Sequence, residues 1–232
     1  MRRICRYLPL LVLLVGSIQL AGAQSLIDPN VGFGAVMDKA LTTGIDQNTF
    51  LPCTAASAGA CSTTPKLSSF ALGLGVNLML WEHFGVGMEA VMQPGKHDYA
   101  TLPAVVSQGV VLQSASTLQS RVTFYDFNGI YQPINTKKMT VQLIGGAGGV
   151  NMKFYDSTSS SSLLGNSSYS QAISSSNHLN VHAGVGVQFY LNDHMFIRPQ
   201  FDLHYVPNFT QFGSNMVMQG MVWAGYTIGD KK

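Results

Sequence analysis

Residues 179–205 read LNVHAGVGVQFYLNDHMFIRPQFDLHY, and this stretch decides the fold. Apolar residues take every second position on both sides of Asn192-Asp193, and Gly, Asn, His, Gln, Arg and Asp fill most positions between them. Alternation with a period of two is typical of a β-strand that has one apolar and one polar face. The stretch therefore predicts two β-strands joined by a tight turn.

The same alternation recurs along the chain. It is clearest on either side of Glu82-His83, where Phe70 to Leu80 and Phe84 to Gln93 continue one pattern across a short interruption. Weaker runs complete the count. The sequence predicts eight strands, at about 31–41, 70–80, 84–93, 120–133, 138–155, 179–190, 197–205 and 217–228.

The connections between these strands alternate between long and short. The long ones, about 42–66, 97–118, 156–176 and 207–216, consist mainly of Ser, Thr, Ala, Gly, Asn and Pro. The short ones are Glu82-His83, Asn135-Thr136-Lys137 and Asn192-Asp193. An antiparallel meander with short turns at one end and long loops at the other is typical of an outer-membrane β-barrel.

Charged residues are scarce in this chain. Of 232 residues, 13 are Lys or Arg and 11 are Asp or Glu, which makes 10% charged, against about 25% in an ordinary soluble domain. Arg2, Arg3 and Arg6 lie at the extreme N-terminus, and beyond them 10 basic residues face 11 acidic ones. The composition therefore excludes binding to nucleic acid through a basic surface.

The first 23 residues have the features of a secretory signal peptide. A basic segment (1–6) precedes a short apolar run (8–20), and Ala21-Gly22-Ala23 supplies the small residues of a cleavage site. The run is shorter than a membrane-spanning helix requires and is interrupted by Gly16, Ser17 and Gln19. We expect a signal peptide at 1–23 and one barrel domain at 24–232.

Two cysteines remain after removal of that segment, Cys53 and Cys61. The seven residues between them contain no His and no acid, which argues against a metal site. Because secreted proteins mature in oxidising surroundings, we expect a disulfide between Cys53 and Cys61 within the first long loop.

Four segments carry a resemblance to a known family: 124–129 (FYDFNG), 182–187 (HAGVGV), 196–202 (FIRPQFD) and 223–228 (WAGYTI). With the strand pattern, they make the chain resemble the eight-stranded outer-membrane barrels of the OmpA/OmpX type over about 25–230. The resemblance implies a closed, antiparallel, up-and-down transmembrane β-barrel in the outer membrane of a diderm bacterium. One departure is the tail Gly229-Asp230-Lys231-Lys232, where such barrels usually end on an aromatic residue.

A soluble eight-stranded barrel would show the same alternation, with its polar face turned outward. Three observations favour the membrane. The polar face has hardly any Lys and would make a poor solvent surface. The strands are long enough to cross a bilayer when tilted, and the asymmetry of the connections has no reason to exist in a soluble meander.

Two features resemble functional motifs but are interpreted structurally. The run 145–149 (GGAGG) lies within a predicted strand and lacks the following helix of a nucleotide loop, so we expect its glycines to make room for side chains opposite. His182 and His204 fall on the inner face as satisfied interior histidines, because a zinc site would need a third ligand. Neither begins a His-x-Ser strand motif of a lipid-modifying enzyme, so we expect no catalytic residue, no cofactor and no metal.

Four charged residues alternate with apolar neighbours assigned to lipid: Glu89, Asp126, Arg198 and Asp202. The third and seventh predicted strands lie opposite one another in an eight-stranded ring, and Glu89 and Arg198 lie at similar depth. Because a lone buried ion is costly, we expect Glu89 and Arg198 to meet in the lumen. Asp202 or Asp126 would be a secondary partner, and the group would plug the barrel rather than catalyse.

Three functions remain open. The first is a structural or surface-interaction barrel with extracellular loops as its binding surface. The second is a narrow porin-like channel, although eight strands leave an interior that side chains can fill. The third is a lipid-modifying enzyme. Expected partners are outer-membrane lipid, lipopolysaccharide and the barrel-insertion machinery, with the protein itself a monomer. The loop ligand is not specified by the sequence.

Overall fold

The computed structural model describes residues 26–38, 68–102, 105–107, 110–113, 116–162, 165–207 and 214–229. Regular structure in these residues is β-strand, and none of them forms a helix long and apolar enough to cross a membrane. The strands are β1 (Leu26–Asp38), β2 (Ser69–Met79), β3 (Phe84–Met92), β4 (His97–Leu102), β5 (Val105–Ser107), β6 (Val110–Gln113), β7 (Ser116–Asn135), β8 (Met139–Ser162), β9 (Gly165–Tyr190), β10 (Met195–Tyr205) and β11 (Met216–Tyr226).

The main sheet closes on itself. Its order is β3-β2-β1-β11-β10-β9-β8-β7, all neighbours are antiparallel, and β3 also pairs with β7. β4 also pairs with β7, further from the short turns than β3 does. β3 and β4 therefore occupy one position in the barrel wall, as one strand with an interruption. The chain is thus a closed eight-stranded antiparallel barrel, which confirms the predicted fold. Closure leaves no unpaired edge within the barrel wall.

The predicted alternation is visible in the burial of side chains. Along β10 exposed and buried residues alternate at every position, with Phe201 45% exposed and Arg198 fully buried. The apolar residues of the pattern face outward on the other strands as well. They form a continuous outer belt whose members include Val31, Phe33, Leu72, Leu74, Val76, Val86, Met88, Tyr125, Phe127, Leu179, Val181, Val185, Ile197, Phe201 and Leu203.

The short turns lie where the sequence predicts them. Residues 80–83, 136–138 and 191–194 connect β2 to β3, β7 to β8 and β9 to β10. In the last turn the Asn192 side-chain oxygen accepts hydrogen bonds from the backbone N–H groups of His194 (2.9 Å) and Met195 (2.7 Å). An Asn side chain that replaces backbone acceptors in this way holds a tight turn.

Two of the predicted long loops, 97–118 and 156–176, contain β-strands, so the prediction of loops there is wrong. Residues 97–118 contain β4, β5, β6 and the start of β7, and 156–176 belong to a hairpin in which Ser162 pairs with Gly165. Backbone hydrogen bonds between strands do not require a period of two in the sequence, so pairing continues beyond the belt. β1 also begins at Leu26 rather than 31, because Leu26 to Asn30 continue the antiparallel pairing with Gly75 to Met79 of β2.

The interior has two layers. Toward the long-loop end lies a cluster of buried apolar residues: Val36, Ala71, Val91, Val122, Phe124, Val150, Met152, Phe154, Val206, Val217, Met221 and Trp223. Toward the short turns the buried residues are mainly amides, hydroxyls and charges. The expected signal peptide (1–23), Cys53 and Cys61 lie outside the described residues, so these two predictions remain predictions.

Candidate functional site

We call the buried amides, hydroxyls and charges near the short turns the polar layer. Its charged residues centre on Arg198 and Glu89. β10 and β3 lie on opposite sides of the eight-stranded barrel. Arg198 on β10 and Glu89 on β3 both point into the lumen. The Arg198 Nη2 donates to Glu89 Oε1 at 2.9 Å, with both side chains buried. The structure therefore brings together the two residues that the sequence predicts to meet across the lumen.

Two further side chains, Gln142 and Trp223, contact the guanidinium. Its Nη1 donates to Gln142 Oε1 at 3.0 Å, and its central carbon lies 5.6 Å from the centre of the Trp223 ring. Gln142 in turn donates to Gln188 (2.9 Å), which donates to the Tyr190 hydroxyl (2.8 Å). This hydrogen-bonded chain links Arg198 to the rim at the short-turn end.

The two aspartates relate to the pair differently. Gln200 Nε2 donates both to Glu89 Oε2 (3.1 Å) and to Asp202 Oδ2 (2.9 Å), so that Asp202 joins through an amide. Asp126 lies directly beside Glu89 in the β3–β7 register and is buried, but makes no ion pair with Arg198. Of the four predicted residues, three belong to one hydrogen-bonded group and Asp126 borders it.

The two inner-face histidines stack on one another. The rings of His182 and His204 are 4.8 Å apart and nearly parallel, with Phe124 4.9 Å from His204 on the apolar side. His182 Nε2 lies 2.8 Å from Asn128 Oδ1, and its Nδ1 lies 3.8 Å from Asp202 Oδ1. The prediction of a satisfied interior histidine therefore holds only in part for His182, because Nε2 has a hydrogen-bond partner and Nδ1 has none among the described residues. For His204 that prediction is wrong, because neither ring nitrogen has a hydrogen-bond partner among the described residues and ring stacking provides its contacts.

The glycines of the run 145–149 alternate between the inner and the outer face of β8. A Cβ added to Gly146 would lie 2.6 Å from both Asn128 Oδ1 and His182 Nε2, and one added to Gly148 would lie 2.6 Å from Asp126 Oδ1. These two glycines make room for the polar layer, as expected. Gly145 and Gly149 face outward, where an added Cβ would meet nothing closer than 3.8 Å, so the same interpretation is wrong for them.

Sequence reasoning missed Gln142, Gln200 and Trp223 as members of the site. All three occupy inward positions of predicted strands, so the alternation of the sequence already predicts that they lie on the inner face. What they contact depends on the stagger between strands, which alternation does not reveal.

The arrangement holds several charges in the interior of the barrel. Within the described ranges no group of three or more His, Cys, Asp and Glu side chains is placed to bind a metal ion. Three carboxylates, one guanidinium and two imidazoles are packed beneath the apolar layer and shielded from solvent. Such a group can close the lumen by filling it with paired charges.

A closed eight-stranded barrel with an apolar outside and a filled polar inside has the fold of the eight-stranded outer-membrane barrels. The predicted resemblance to the OmpA/OmpX type thus holds at the level of the fold.

Solved structures with a similar fold come from several bacteria. A major outer membrane protein from Thermus thermophilus shares 12% identity at a TM-score of 0.55, covering 88% of this chain and 99% of that one. Ail, the attachment invasion locus protein of Yersinia pestis, shares 13% at 0.49, with coverages of 88% and 99%. OprG from Pseudomonas aeruginosa shares 15% at 0.39, with coverages of 89% and 94%. No family model and no curated protein matches the sequence. At these identities the likeness concerns the fold alone.

Proposed function

We propose that this chain is an integral β-barrel of the outer membrane of a diderm bacterium, with a structural or surface-interaction role. One observation carries the proposal: burial is inverted relative to a soluble protein. Leu179 is 78% exposed and Phe127 62%, whereas Arg198 is fully buried. A contiguous apolar belt of this size on a soluble monomer would be an aggregation site, but in a bilayer it is the surface that lipid requires.

Aromatic residues at the short-turn rim support the same placement. Trp81, Phe84 and Tyr131 are exposed there, with the last two rings stacked 4.9 Å apart. Tyr226 stacks on His194 at 5.2 Å on another part of the rim. Rings with an apolar body and a polar tip are enriched where the bilayer meets water.

The filled lumen favours a surface role over a channel. A narrow porin-like channel is the second candidate, and the amides and charges of the polar layer are the observation that favours it. The apolar layer above them, centred on Phe124 and Met152, is dry in character and would interrupt a water path. We therefore assign binding to the segments at the long-loop end, including the projecting β8–β9 hairpin.

A lipid-modifying enzyme is the third candidate, and no feature among the described residues favours it. Such an enzyme would use His and Ser on the outer face near the rim, whereas His182 and His204 are buried in the lumen and the rim residue His194 is stacked on Tyr226. The remaining proposed partners are outer-membrane lipid, lipopolysaccharide and the barrel-insertion machinery, with the barrel acting as a monomer.

Membrane fractionation and bilayer recordings test the proposal together. The protein should sediment with the outer membrane, float with lipid vesicles and migrate faster on unboiled SDS gels than after heating. In planar bilayers it should show no steady conductance. Recovery in the soluble periplasm without a heat shift would disprove the membrane placement, and large stable conductance would favour the channel.

A further inference from the structure

Two basic residues lie side by side on the outer face, beyond the apolar belt at the long-loop end. Arg121 of β7 pairs directly with Lys153 of β8 in the sheet register. Both point outward by alternation from the exposed Tyr125, and Lys153 is exposed. Among the described residues, neither side chain forms an ion pair.

Lys96 adds a third cation to this surface. Its ammonium lies 4.3 Å from the centre of the Tyr155 ring and donates to the Ser170 hydroxyl at 2.6 Å. Tyr155 follows Lys153 by two residues and so shares its face. We call Lys96, Arg121 and Lys153 the basic row. One carboxylate lies nearby, Asp98, and its Oδ1 accepts a hydrogen bond from Gln119 at 2.7 Å.

Like charges directly opposite one another destabilise a sheet unless an anion lies between them. The basic row holds three positive charges against one carboxylate, so a net positive charge remains to be neutralised. Phosphate groups are strong acceptors for Arg and Lys. A phosphate bound by Arg121 and Lys153 would turn a repulsive pair into a binding site.

A shallow furrow leads from the basic row into the belt. Its floor is the outward side of β8 at Gly145, Ala147 and Gly149, and we call it the β8 furrow. An added Cβ at Gly145 would meet no atom within 4 Å, and one at Gly149 would meet only the His178 carbonyl at 3.8 Å. The floor is therefore open to the surroundings.

Large side chains stand on both sides of the floor at Gly149 and Ala147, whereas Gly145 lies between Gly129 and Ala183 and has no large neighbour there. In the register, Gly149 lies between Tyr125 and Leu179, and Ala147 lies between Phe127 and Val181. These four side chains are 51% to 78% exposed, so they rise above the floor as walls. Alternate residues of a strand are about 7 Å apart, so the three floor positions span about 14 Å. That length and width fit part of one acyl chain.

We propose that the β8 furrow and the basic row form one binding site for a phosphate-bearing lipid of the leaflet at the long-loop end. The phosphate lies against Arg121 and Lys153, with Lys96 beside it, and one acyl chain runs along Gly149, Ala147 and Gly145. Thr123 and the hydrogen-bonded pair Asn151–Asn177 (2.7 Å) lie between the two parts, where the headgroup meets the chain. The inference rests on the membrane placement proposed above.

The charge half of the site is tested with bisphosphorylated lipid A in phosphatidylcholine nanodiscs, with retained lipid counted by native mass spectrometry. The variant R121Q/K153Q should lower lipid A affinity by roughly twentyfold, since each basic residue near an anionic lipid surface contributes about fivefold. The matched control K137Q/K138Q removes the same charge from the β7–β8 short turn and should change affinity less than about twofold. Equal losses in both variants, or no loss in R121Q/K153Q, would overturn the site.

The furrow half is tested by filling it. The variant A147F should lower lipid A affinity by about tenfold through lost contact with about two methylenes. The control A224F places the same side chain on the outer face of β11 and should have no effect. If A147F binds normally and excess inorganic phosphate displaces lipid A, the basic row is a free-phosphate site and the proposal is wrong. Heat-shifted migration of the same preparations reports membrane insertion separately, so a failure of the barrel assignment is recognised independently.

Discussion

At the scale of single residues, Arg198 is the most demanding side chain of the barrel. It is fully buried and contacts Glu89, Gln142 and the Trp223 ring. Removing a charge from water is costly unless partners replace the lost hydration. Each of the two residues, Arg198 and Glu89, therefore stabilises the fold mainly by supplying the partner that offsets the desolvation cost of the other.

Replacing Arg198 by Ala should destabilise the folded barrel by about 3–5 kcal/mol, because Glu89 is left without its cation. The double variant E89A/R198A should lose less than the single variant. The midpoint of urea unfolding, followed by the heat-dependent shift on SDS gels, measures both. Lys138→Ala at a short turn serves as a control with little expected effect. Equal losses in the single and double variants would show that the pair is not the cause.

Gly148 faces the interior of the barrel and Gly145 faces outward on the same strand, so the two glycines allow a controlled comparison of the two faces of β8. Gly148→Val should destabilise the barrel by about 1–3 kcal/mol, because its side chain would overlap Asp126 and the adjacent backbone. Gly145→Val faces open space and should be neutral by the same urea assay. A larger effect at Gly145 than at Gly148 would contradict the assigned faces.

At the scale of elements, the β8–β9 hairpin is the most extended feature. Its pairing continues from Met139↔Phe189 at the short-turn end to Ser162↔Gly165 at the tip. Beyond about Phe154 its sequence consists mainly of Ser and lacks the alternation of the outer belt. The barrel wall and the projecting tip should therefore be separable.

Replacing residues 156–171 by Asn-Gly should leave the barrel folded. Tyr155 and Ala172 face each other in the register, and Asn-Gly is a preferred two-residue hairpin turn. The free energy of unfolding should change by less than about 1 kcal/mol. A scrambled sequence of the same 16 positions provides the control for length. Loss of heat-shifted migration in the shortened variant would show that the tip is part of the folding unit.

The strands inside the belt were predictable, and the paired segments beyond it were not. In the belt one face is the exposed apolar surface and the other faces the lumen, which produces a period of two in 179–205. In 156–158 and 169–172 burial does not alternate from residue to residue, and in the register serine pairs with serine at Ser157 and Ser170. The Glu89–Arg198 meeting followed from strand order and depth, whereas Gln200 as the bridge to Asp202 required the stagger between strands.

At the scale of the whole molecule, the lumen is closed by two different means. Paired charges and amides fill the half near the short turns, and apolar side chains fill the half near the long loops. The apolar layer offers water no hydrogen-bonding partners, whereas the amides and charges of the other half do. We therefore expect the main barrier to ions at the apolar layer and not at the ion pair.

Recordings of variants in planar bilayers check this expectation. The variant F124S/M152S should raise ion conductance well above the wild type, because two buried apolar groups of the layer become polar. E89A/R198A should remain closed, since the apolar layer is intact. Conductance that rises in E89A/R198A and not in F124S/M152S would locate the barrier at the ion pair instead.

The two-layer interior also determines how an electrical potential is distributed along the barrel axis. A potential falls most steeply where polarisability is lowest, and in this barrel that is the apolar layer near Phe124 and Val217. Arg198 and Glu89 lie on the short-turn side of that drop. A voltage applied across the membrane would therefore exert little force on their pair, and the buried charges should be insensitive to it.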